Sequence, residues 1–404
     1  MSKKKVQKSS GKKAFLLYAV GILLLLAVTV AAVSIGSVKI PPKEIFRTLF
    51  FEAKEQIVTY DRDHFEDISL EGATGIVVVH EEMGSMEIEP GLFENIDLQD
   101  EGYTSVTVVY GEEDDSLHRD ILFDIRLPRA AASLLGGAAL AVAGLLLQIF
   151  FRNPIVDPYV LGISNGSTFI AALFILAGLR LGIFGTGPFG RFFAAFFGAM
   201  AVMAVVLLFA LRVKQATTLL VIGIMIGYFC SAGTGFLMTF ADKEAVKGFV
   251  VYSMGSFSGF VWEEVWMLAI ICFLSFFGSL LIGKQLNAFL LGEDYAKSLG
   301  VNLRLFRVII ILLSGVLTAA VTAFAGPVAF IGLAVPHIVK LLFKSSDSRI
   351  LLPGCILYGA CITAVCDILA RSVFSPRELA LSTVTSVFGV PIVIHMIMKN
   401  RSNA

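Results

Sequence analysis

The chain has 404 residues, of which 56% are hydrophobic and 16% charged, and its formal net charge is +0 at pH 7. Soluble domains carry about a quarter charged residues, so this composition excludes an ordinary soluble globular protein. The apolar residues also occur in blocks of roughly 20, the length that crosses a hydrocarbon core about 30 Å thick. An all-α polytopic membrane protein is therefore predicted.

In chain order, residues 1–13 form a basic tail with six lysines, and an apolar block follows at 14–36. This block is long for a signal peptide and lacks a clean cleavage site, so we interpret it as the first transmembrane helix. Nine further spans are predicted, the third and eighth of the ten being short: 130–151, 164–183, 188–211, 216–240, 263–283, 305–325, 328–343, 351–371 and 380–398.

The net charge of zero hides an asymmetry between the first and second spans. Residues 52–124 contain 21 of the 32 acidic residues and three basic ones, a balance of −18 that leaves +18 for the rest. The pieces TGIVVVH (74–80) and YTSVTVVYG (103–111) are rich in β-formers and are separated by turn residues. We predict a small acidic, β-containing extracellular insert at 52–120.

The distribution of lysine and arginine predicts the orientation. An even number of spans places both termini on one side, and the basic tail lies there. Loops assigned to that side contain Arg152, Arg212, Lys214, Lys284, Lys297, Arg304, Lys344 and Arg349. The positive-inside rule makes that side the cytoplasm. All five cysteines fall inside predicted spans, without metal-ligand spacing, so neither a disulfide framework nor a bound metal is expected.

A polar stretch, RNPIVDPYVLGISNGS at 152–167, lies between two apolar blocks. Asn153 and Asp157 each precede a proline, which disfavours helix, and Ser164 is a candidate N-cap for the next helix. Irregular backbone near a membrane boundary persists only where protein or water satisfies it. By themselves these residues are also compatible with a plain cytoplasmic turn.

From residue 120 the sequence resembles a known family. The block RLPRAAASLLGG and its continuation through 167, followed by GEDYAKSLGV (292–301), AGPVAFIGLAVPHIVK (325–340) and DILAR (367–371), is similar to permease subunits of ABC importers for iron-siderophores, heme and cobalamin, the FecCD/BtuC type. The resemblance implies the ten-helix type II importer permease fold for a core at 121–398. Residues 54–119 have no counterpart in the family's pattern.

The resemblance also implies partners. These are a second permease, identical or paralogous, two cytoplasmic ATP-binding subunits and an extracellular substrate-binding lipoprotein. Membrane lipid surrounds the assembly, and neither a cofactor nor a nucleic-acid partner is expected.

Three arginines are implied to dock the binding protein, and they are Arg126, Arg129 and Arg371. Cations at the external end of a span are not expected from the positive-inside rule, so their presence needs an explanation. Asp367 precedes Arg371 by four residues and is expected to hold it. Snorkelling of the side chains at a helix end is the alternative, and Arg377 is a further external candidate.

Residues 284–303 form the longest polar connection on the predicted cytoplasmic side. Acidic residues suit the start of a short helix there and a glycine its end. By resemblance this helix docks into the ATPase, and the alternative is a plain surface helix. The implied contact residues are Leu291, Gly292, Glu293, Tyr295, Leu299 and Gly300.

Small residues mark the fifth span. Gly223 and Gly227 form a G-x-x-x-G pair, with Ser231 and Thr234 one and two turns later. Small residues allow helices to approach closely, and they also leave room for a bulky ligand. Helix packing and a translocation path are both open interpretations.

No catalytic constellation is visible. GSLLIGKQ (278–285) matches the phosphate-loop spacing, but it ends an apolar span and lacks the Ser or Thr that follows the lysine. We therefore predict a transport subunit that is not an enzyme and passes an iron-siderophore or related iron chelate inward, with heme or cobalamin as alternative substrates. An ion-coupled secondary transporter is a weaker alternative because such proteins carry ionisable residues in mid-membrane.

Overall fold

A computed structural model describes residues 2–36, 45, 56–70, 73–80, 84–88, 92–93, 102–110, 119–176, 188–213, 215–375 and 377–402. The chain divides into two compact units. The larger comprises Met1–Ser37 with Leu127–Ala404, and the smaller is Val38–Arg126. The predicted insert at 52–120 falls within the smaller unit.

The larger unit is helical in its described residues. Its helices are α1 (Ser2–Ser34), α2 (Leu127–Phe151), α3 (Ile163–Leu176), α4 (Pro188–Arg212), α5 (Ala216–Phe240), α6 (Lys243–Ser253), α7 (Trp262–Leu281), α8 (Gly283–Leu290), α9 (Glu293–Ser298), α10 (Leu303–Ala325), α11 (Ile331–Phe343), α12 (Ser348–Ser372) and α13 (Leu381–Ser402).

Seven of the predicted spans are confirmed as helices long and apolar enough to cross a membrane, and they correspond to α1, α2, α4, α5, α7, α10 and α12. The third, eighth and tenth predicted spans correspond to shorter apolar helices, Ile163–Leu176, Ile331–Phe343 and Leu381–Ile394. At 1.5 Å per residue the first two reach only about 20 Å. Irregular backbone precedes both. The predicted end of the third span, residues 177–183, lies outside the described residues.

Helix α2 is the core of the larger unit. Nearly all of its side chains from Pro128 to Phe150 are buried, and α7, α10, α11 and α12 pack against it. Its small residues allow this. A Cβ on Gly144 would overlap the carbonyl oxygen of Gly332 in α11, and one on Gly137 would overlap Gly359 in α12. A helix that is apolar on every side is one that other helices surround.

The smaller unit contains a four-stranded antiparallel sheet. Its strands are β1 (Gln56–Asp61), β2 (Ala73–His80), β3 (Gly84–Ile88) and β4 (Tyr103–Tyr110), in the order β1-β4-β2-β3. The predicted strands are β2 and β4, whose register pairs Ile76 with Val108 and Val78 with Val106. These four side chains form the buried core with Phe93. Alternate residues of a strand point to the same face of the sheet. One apolar face of the sheet is therefore enough to form this small core.

The join at 152–162 is held by one buried carboxylate. Asp157 is extended and precedes the 3₁₀ turn Pro158–Leu161, where its Oδ1 accepts a hydrogen bond from the Tyr159 amide at 3.1 Å. Its Oδ2 accepts one from the Phe330 amide, at the start of α11, at 3.2 Å. One side chain therefore satisfies backbone donors at two breaks in the helical structure, as irregular backbone within a membrane requires.

The expected N-cap role of Ser164 is wrong. Helix α3 begins one residue earlier, at Ile163, directly after Gly162, whose φ is 74°. Ser164 is buried within the first turn, and its hydroxyl lies 3.3 Å from that of Thr322 in α10. The hydroxyl therefore contributes to packing between α3 and α10. The tertiary contact has replaced the local cap that Ser residues favour at helix starts.

Candidate functional site

Polar side chains collect at the two ends of α2. At its start lies an arginine cluster, which we define as Arg129, Asp367, Arg371 and Glu378. Near its end lies segment 284–303, which comprises α8, α9 and the residues that join them to α10. The apolar body of the bundle separates these two sites.

In the arginine cluster, Asp367 is the shared carboxylate. Arg129 donates to it from Nη2 at 3.0 Å and from Nε at 3.1 Å. Arg371 lies 3.8 Å from it, so the predicted i,i+4 ion pair is present but is longer than the Arg129 bonds. The Arg371 guanidinium also donates to the Ala32 carbonyl of α1. The cluster thus joins α1, α2 and α12.

Glu378 is the exposed member of the cluster. Its Oε1 accepts a hydrogen bond from Arg129 Nη1 at 2.8 Å, and its side chain is 44% exposed, against 3% for Asp367. Arg129 therefore holds one buried and one exposed carboxylate. A bidentate arrangement of this kind suits the planar guanidinium of arginine.

The three predicted docking arginines are all buried. Arg129 is 6% exposed and Arg371 is 8% exposed, and both belong to the cluster. Arg126 is 4% exposed and ends the helical turn Ile121–Arg126, directly before α2. Arg377, by contrast, has an exposed side chain. Direct contact between a partner and the buried arginines therefore requires a change in their present surroundings.

Segment 284–303 contains the short helix that its sequence predicts. Helix α9 follows Gly292, whose φ is 139°, and ends before Gly300, whose φ is 82°. The Val301 amide donates to the Ala296 carbonyl at 3.1 Å and the Gly300 amide to Lys297 at 3.0 Å, a Schellman end. The helix start and stop that glycine and acidic residues predicted are confirmed.

One face of this segment is apolar and exposed. Leu291 is 71% exposed, Tyr295 47% and Leu299 60%, whereas Ala296 on the opposite side is fully buried. Tyr295 lies in α9, Leu299 directly follows it, and Leu291 directly follows α8. Exposed large apolar side chains that lie close together in sequence mark a candidate contact surface. The segment therefore presents a knob of three side chains.

Helix α8 is anchored to the bundle by polar contacts. Arg152 Nη2 donates to the Phe289 carbonyl at 3.1 Å, and its guanidinium lies 4.7 Å from the centre of the Phe289 ring. Asn287 Nδ2 donates to Asp347 Oδ1 at 2.6 Å, at the start of α12. These contacts fix the base from which the knob projects.

The small residues of α5 lie on different faces of the helix. A Cβ on Gly223 would lie 3.1 Å from the Leu161 backbone, and one on Gly227 would lie 2.8 Å from the Asn165 amide nitrogen. These glycines thus pack against the start of α3. Ser231 is exposed, and the Thr234 hydroxyl donates to the Cys230 carbonyl within α5 at 3.0 Å.

The phosphate-loop match at 278–285 lies across α7 and α8. The helices on both sides of Ile282 exclude the strand-to-helix loop that cradles phosphate. Within the described ranges, no group of three or more His, Cys, Asp or Glu side chains is placed to hold a metal ion.

Sequence reasoning missed four contributors to these sites. Glu378, Asn287 and Asp347 were not among the predicted site residues, and Arg152 served only to assign orientation. Asp347 precedes the apolar periodicity of α12, and its Oδ1 accepts a bond from the Arg349 amide at 2.9 Å. That N-cap position was a readable signal. The pairing of Asn287 with it was not, because 60 residues separate them.

A solved structure described as an inward-facing metal-chelate type ABC transporter has the same fold. It aligns with a TM-score of 0.65 and 32% identity, over 70% of this chain and 89% of that chain. The apolar helices packed on α2, together with this likeness, define a permease subunit of an ABC importer. The chain belongs to the FecCD transport family, whose model matches residues 100–399.

Relatives of known name are similar over the same region. The vitamin B12 import system permease protein of Klebsiella pneumoniae is 35% identical over 290 residues, 69% of this chain and 83% of the relative. The hemin transport system permease protein of Yersinia pestis is 34% identical over 282 residues, 70% and 84% of the two chains. The type II importer permease fold is therefore confirmed, and the chain also contains a small sheet.

Replacing Asp367 with Asn is expected to destabilise the permease by about 3–5 kcal/mol, because two buried guanidinium groups lose their shared negative charge. Glu378→Gln is the matched control, since it removes the same charge from a 44% exposed partner of the same arginine and should cost less than about 1 kcal/mol. Thermal unfolding of the purified protein in detergent measures both. Equal losses in the two variants would contradict a structural role for the buried pair.

Proposed function

We propose that this chain is the permease of an ATP-driven importer for a metal chelate, and that an iron-siderophore or related iron chelate is its substrate. Membership of the FecCD family over residues 100–399 carries the proposal. Two relatives are named for vitamin B12 and hemin, and a solved relative is described as of metal-chelate type. A large metal complex is the chemistry these names share, so heme and cobalamin stay as the alternatives.

In this proposal the chain performs no covalent chemistry. ATP is hydrolysed in two separate cytoplasmic subunits, and the permease changes its accessibility from one side of the membrane to the other. The described spans support this over an ion-coupled mechanism, because the ion-pair network around Asp367 lies at the end of α12. Ion-coupled transporters place such residues along a mid-membrane path.

The knob of segment 284–303 is the proposed contact with the ATP-binding subunit. The side of the membrane on which this segment lies is then the cytoplasmic side. Leu291, Tyr295 and Leu299 supply apolar area, and Gly292 and Gly300 set the ends of α9. The anchors from Arg152 and Asn287 keep α8 fixed on the bundle. A rigidly based, exposed apolar helix can receive a push from a partner and pass it on.

The arginine cluster is the proposed docking region for the binding lipoprotein, with Arg126 preceding it in the chain. Burial of Arg129 and Arg371 argues for docking by exchange. A carboxylate on the lipoprotein would replace the exposed Glu378 on Arg129, while Asp367 stays in place. The guanidinium would then keep two carboxylate partners throughout, and no charge would be left unpaired.

Helix α5 is the proposed wall of the pathway at the interface with a second permease. Its glycines pack inward on α3, whereas Met225, Tyr228 and Phe236 are more than half exposed together with Ser231. An apolar face with a few hydroxyls and one tyrosine fits a large, weakly polar conduit. Membrane lipid covers the remaining apolar surface.

Substrate identity is tested by reconstituting the permease in vesicles with the ATP-binding subunit and lipoprotein encoded beside its gene. We expect ATP-dependent accumulation of a radiolabelled iron(III)–hydroxamate siderophore. Accumulation of hemin or cyanocobalamin instead would transfer the assignment to that alternative. Uptake driven by an ion gradient without the ATP-binding subunit would contradict the proposed mechanism.

Replacing Tyr295 with Asp is expected to prevent co-purification of the ATP-binding subunit, because a charge would be buried in the centre of an apolar contact. Tyr295→Phe keeps the ring and is the matched control, which should co-purify at the wild-type yield. Size-exclusion profiles of the permease alone report its integrity. Full recovery of the complex with the Asp variant would show that α9 is not the contact.

Glu378→Gln is expected to raise the affinity of the permease for the lipoprotein about threefold, because the competing exposed ion pair is worth roughly 0.2–1 kcal/mol. Glu263→Gln, at the exposed start of α7, removes the same charge and serves as the control. Binding is measured at low and high salt, since the gain should shrink as salt screens the charges. An unchanged or lower affinity for Glu378→Gln would contradict exchange at Arg129.

A further inference from the structure

Arg307, in the second turn of α10, holds two different elements with one guanidinium. Its Nη2 donates to Glu293 Oε2 at 3.0 Å, and its Nη1 donates to the Val213 carbonyl at 3.4 Å. The Arg307 side chain is 18% exposed and that of Glu293 is 38% exposed. A single side chain therefore connects α10, the first residue of α9 and the residue that follows α4.

The Glu293 contact controls the position of α9. This helix has six residues, too few to be stable without tertiary contacts. It begins after Gly292, whose φ of 139° permits the chain to turn sharply. An ion pair at the first residue of such a helix fixes the end at which the helix could swing.

The Val213 contact lies at the end of α4, close in the chain to the start of α5. The Val213 amide donates to the Phe209 carbonyl at 2.7 Å, so it continues the last turn of α4. Its own carbonyl belongs to the set that a helix C-terminus leaves without an intrahelical donor. A cation is favourable at that place. Helix α5 begins only three residues later, at Ala216.

We infer that Arg307 is the positioning residue that passes a displacement of α9 to the start of α5. The inference rests on the proposed coupling role of α9. When α9 moves, Glu293 moves with it. Arg307 follows Glu293 and pulls on Val213, so α5, the proposed pathway helix, responds at its first turn. The link works in both directions, since coupling between two sites is reciprocal.

The link requires arginine in particular. Its planar fork presents several donors in fixed directions and reaches two acceptors at once, whereas lysine is a single compact charge on a flexible stem. Arg307→Lys should keep an ion pair with Glu293 and lose the simultaneous bond to Val213. Lysine thus separates the effect of charge from the effect of bridging.

The test follows the start of α5 directly in the complex of the full-length permease with its ATP-binding subunit. Thr217, exposed in the first turn of α5, is changed to Cys and labelled with a water-soluble maleimide, with and without ATP and vanadate. The five native cysteines are buried, so background labelling is low. In the parent chain the labelling rate is expected to change with nucleotide.

Arg307→Gln and Arg307→Lys should each reduce that nucleotide-dependent change about tenfold, a typical factor for coupling between sites. ATP hydrolysis and co-purification of the ATP-binding subunit should persist. Arg304→Gln, which removes the same charge one turn earlier in α10, should behave as the parent. Glu293→Gln should reduce the nucleotide-dependent labelling change as Arg307→Gln does, and for this readout the double variant should be no worse than either single one.

Three results would overturn the inference. The first is a nucleotide-dependent labelling change in Arg307→Gln that is as large as in the parent chain. The second is loss of the ATP-binding subunit from that variant, which would give Arg307 a docking role. The third is simple additivity of the Glu293 and Arg307 effects. Failure of the proposed function looks different, because the parent chain itself would then bind no ATP-binding subunit or show no nucleotide-dependent labelling.

Discussion

Close packing on α2 is the interaction on which the rest of the larger unit depends. In lipid, apolar surface by itself does not bring helices together, so van der Waals contact and polar pairing must do so. The glycines of α2 let α11 and α12 approach to backbone contact. The arginine cluster lies at the start of this helix, and segment 284–303 lies near its end.

The second constraint is the satisfaction of backbone groups where helices break. Asp157 accepts hydrogen bonds from the Tyr159 and Phe330 amides and so joins the start of the α3 region to the start of α11. The turn before α3 lies against α5, since a Cβ on Gly223 would meet the Leu161 backbone and one on Gly227 would meet the Gly162 Cα.

The two polar ends have a common design. At one end Arg129 holds a buried and an exposed carboxylate, and at the other Arg307 holds an exposed carboxylate and a backbone carbonyl. In each case one guanidinium joins two acceptors that lie outside its own helix. Arginine suits both places because it keeps its charge and its fork geometry when partly buried.

The sequence by itself determined the membrane class, the positions of the long spans, two strands of the sheet, and the short helix α9 with its glycine boundaries. These features follow from local composition and periodicity, although α9, with six residues, also needs tertiary contacts to be stable. The helix α6 and the strands β1 and β3 were missed because short segments carry weak periodic signals.

Only the tertiary structure decided which polar side chains meet. The pairs Arg129–Asp367 and Asn287–Asp347 join residues far apart in the chain, and the Ser164 hydroxyl serves a distant helix where a local cap was expected. The physical reason is that a sequence pattern fixes which face of a helix a side chain occupies, whereas its partner depends on how helices pack. Burial of Arg129 and Arg371 follows from the same packing, which no local pattern specifies.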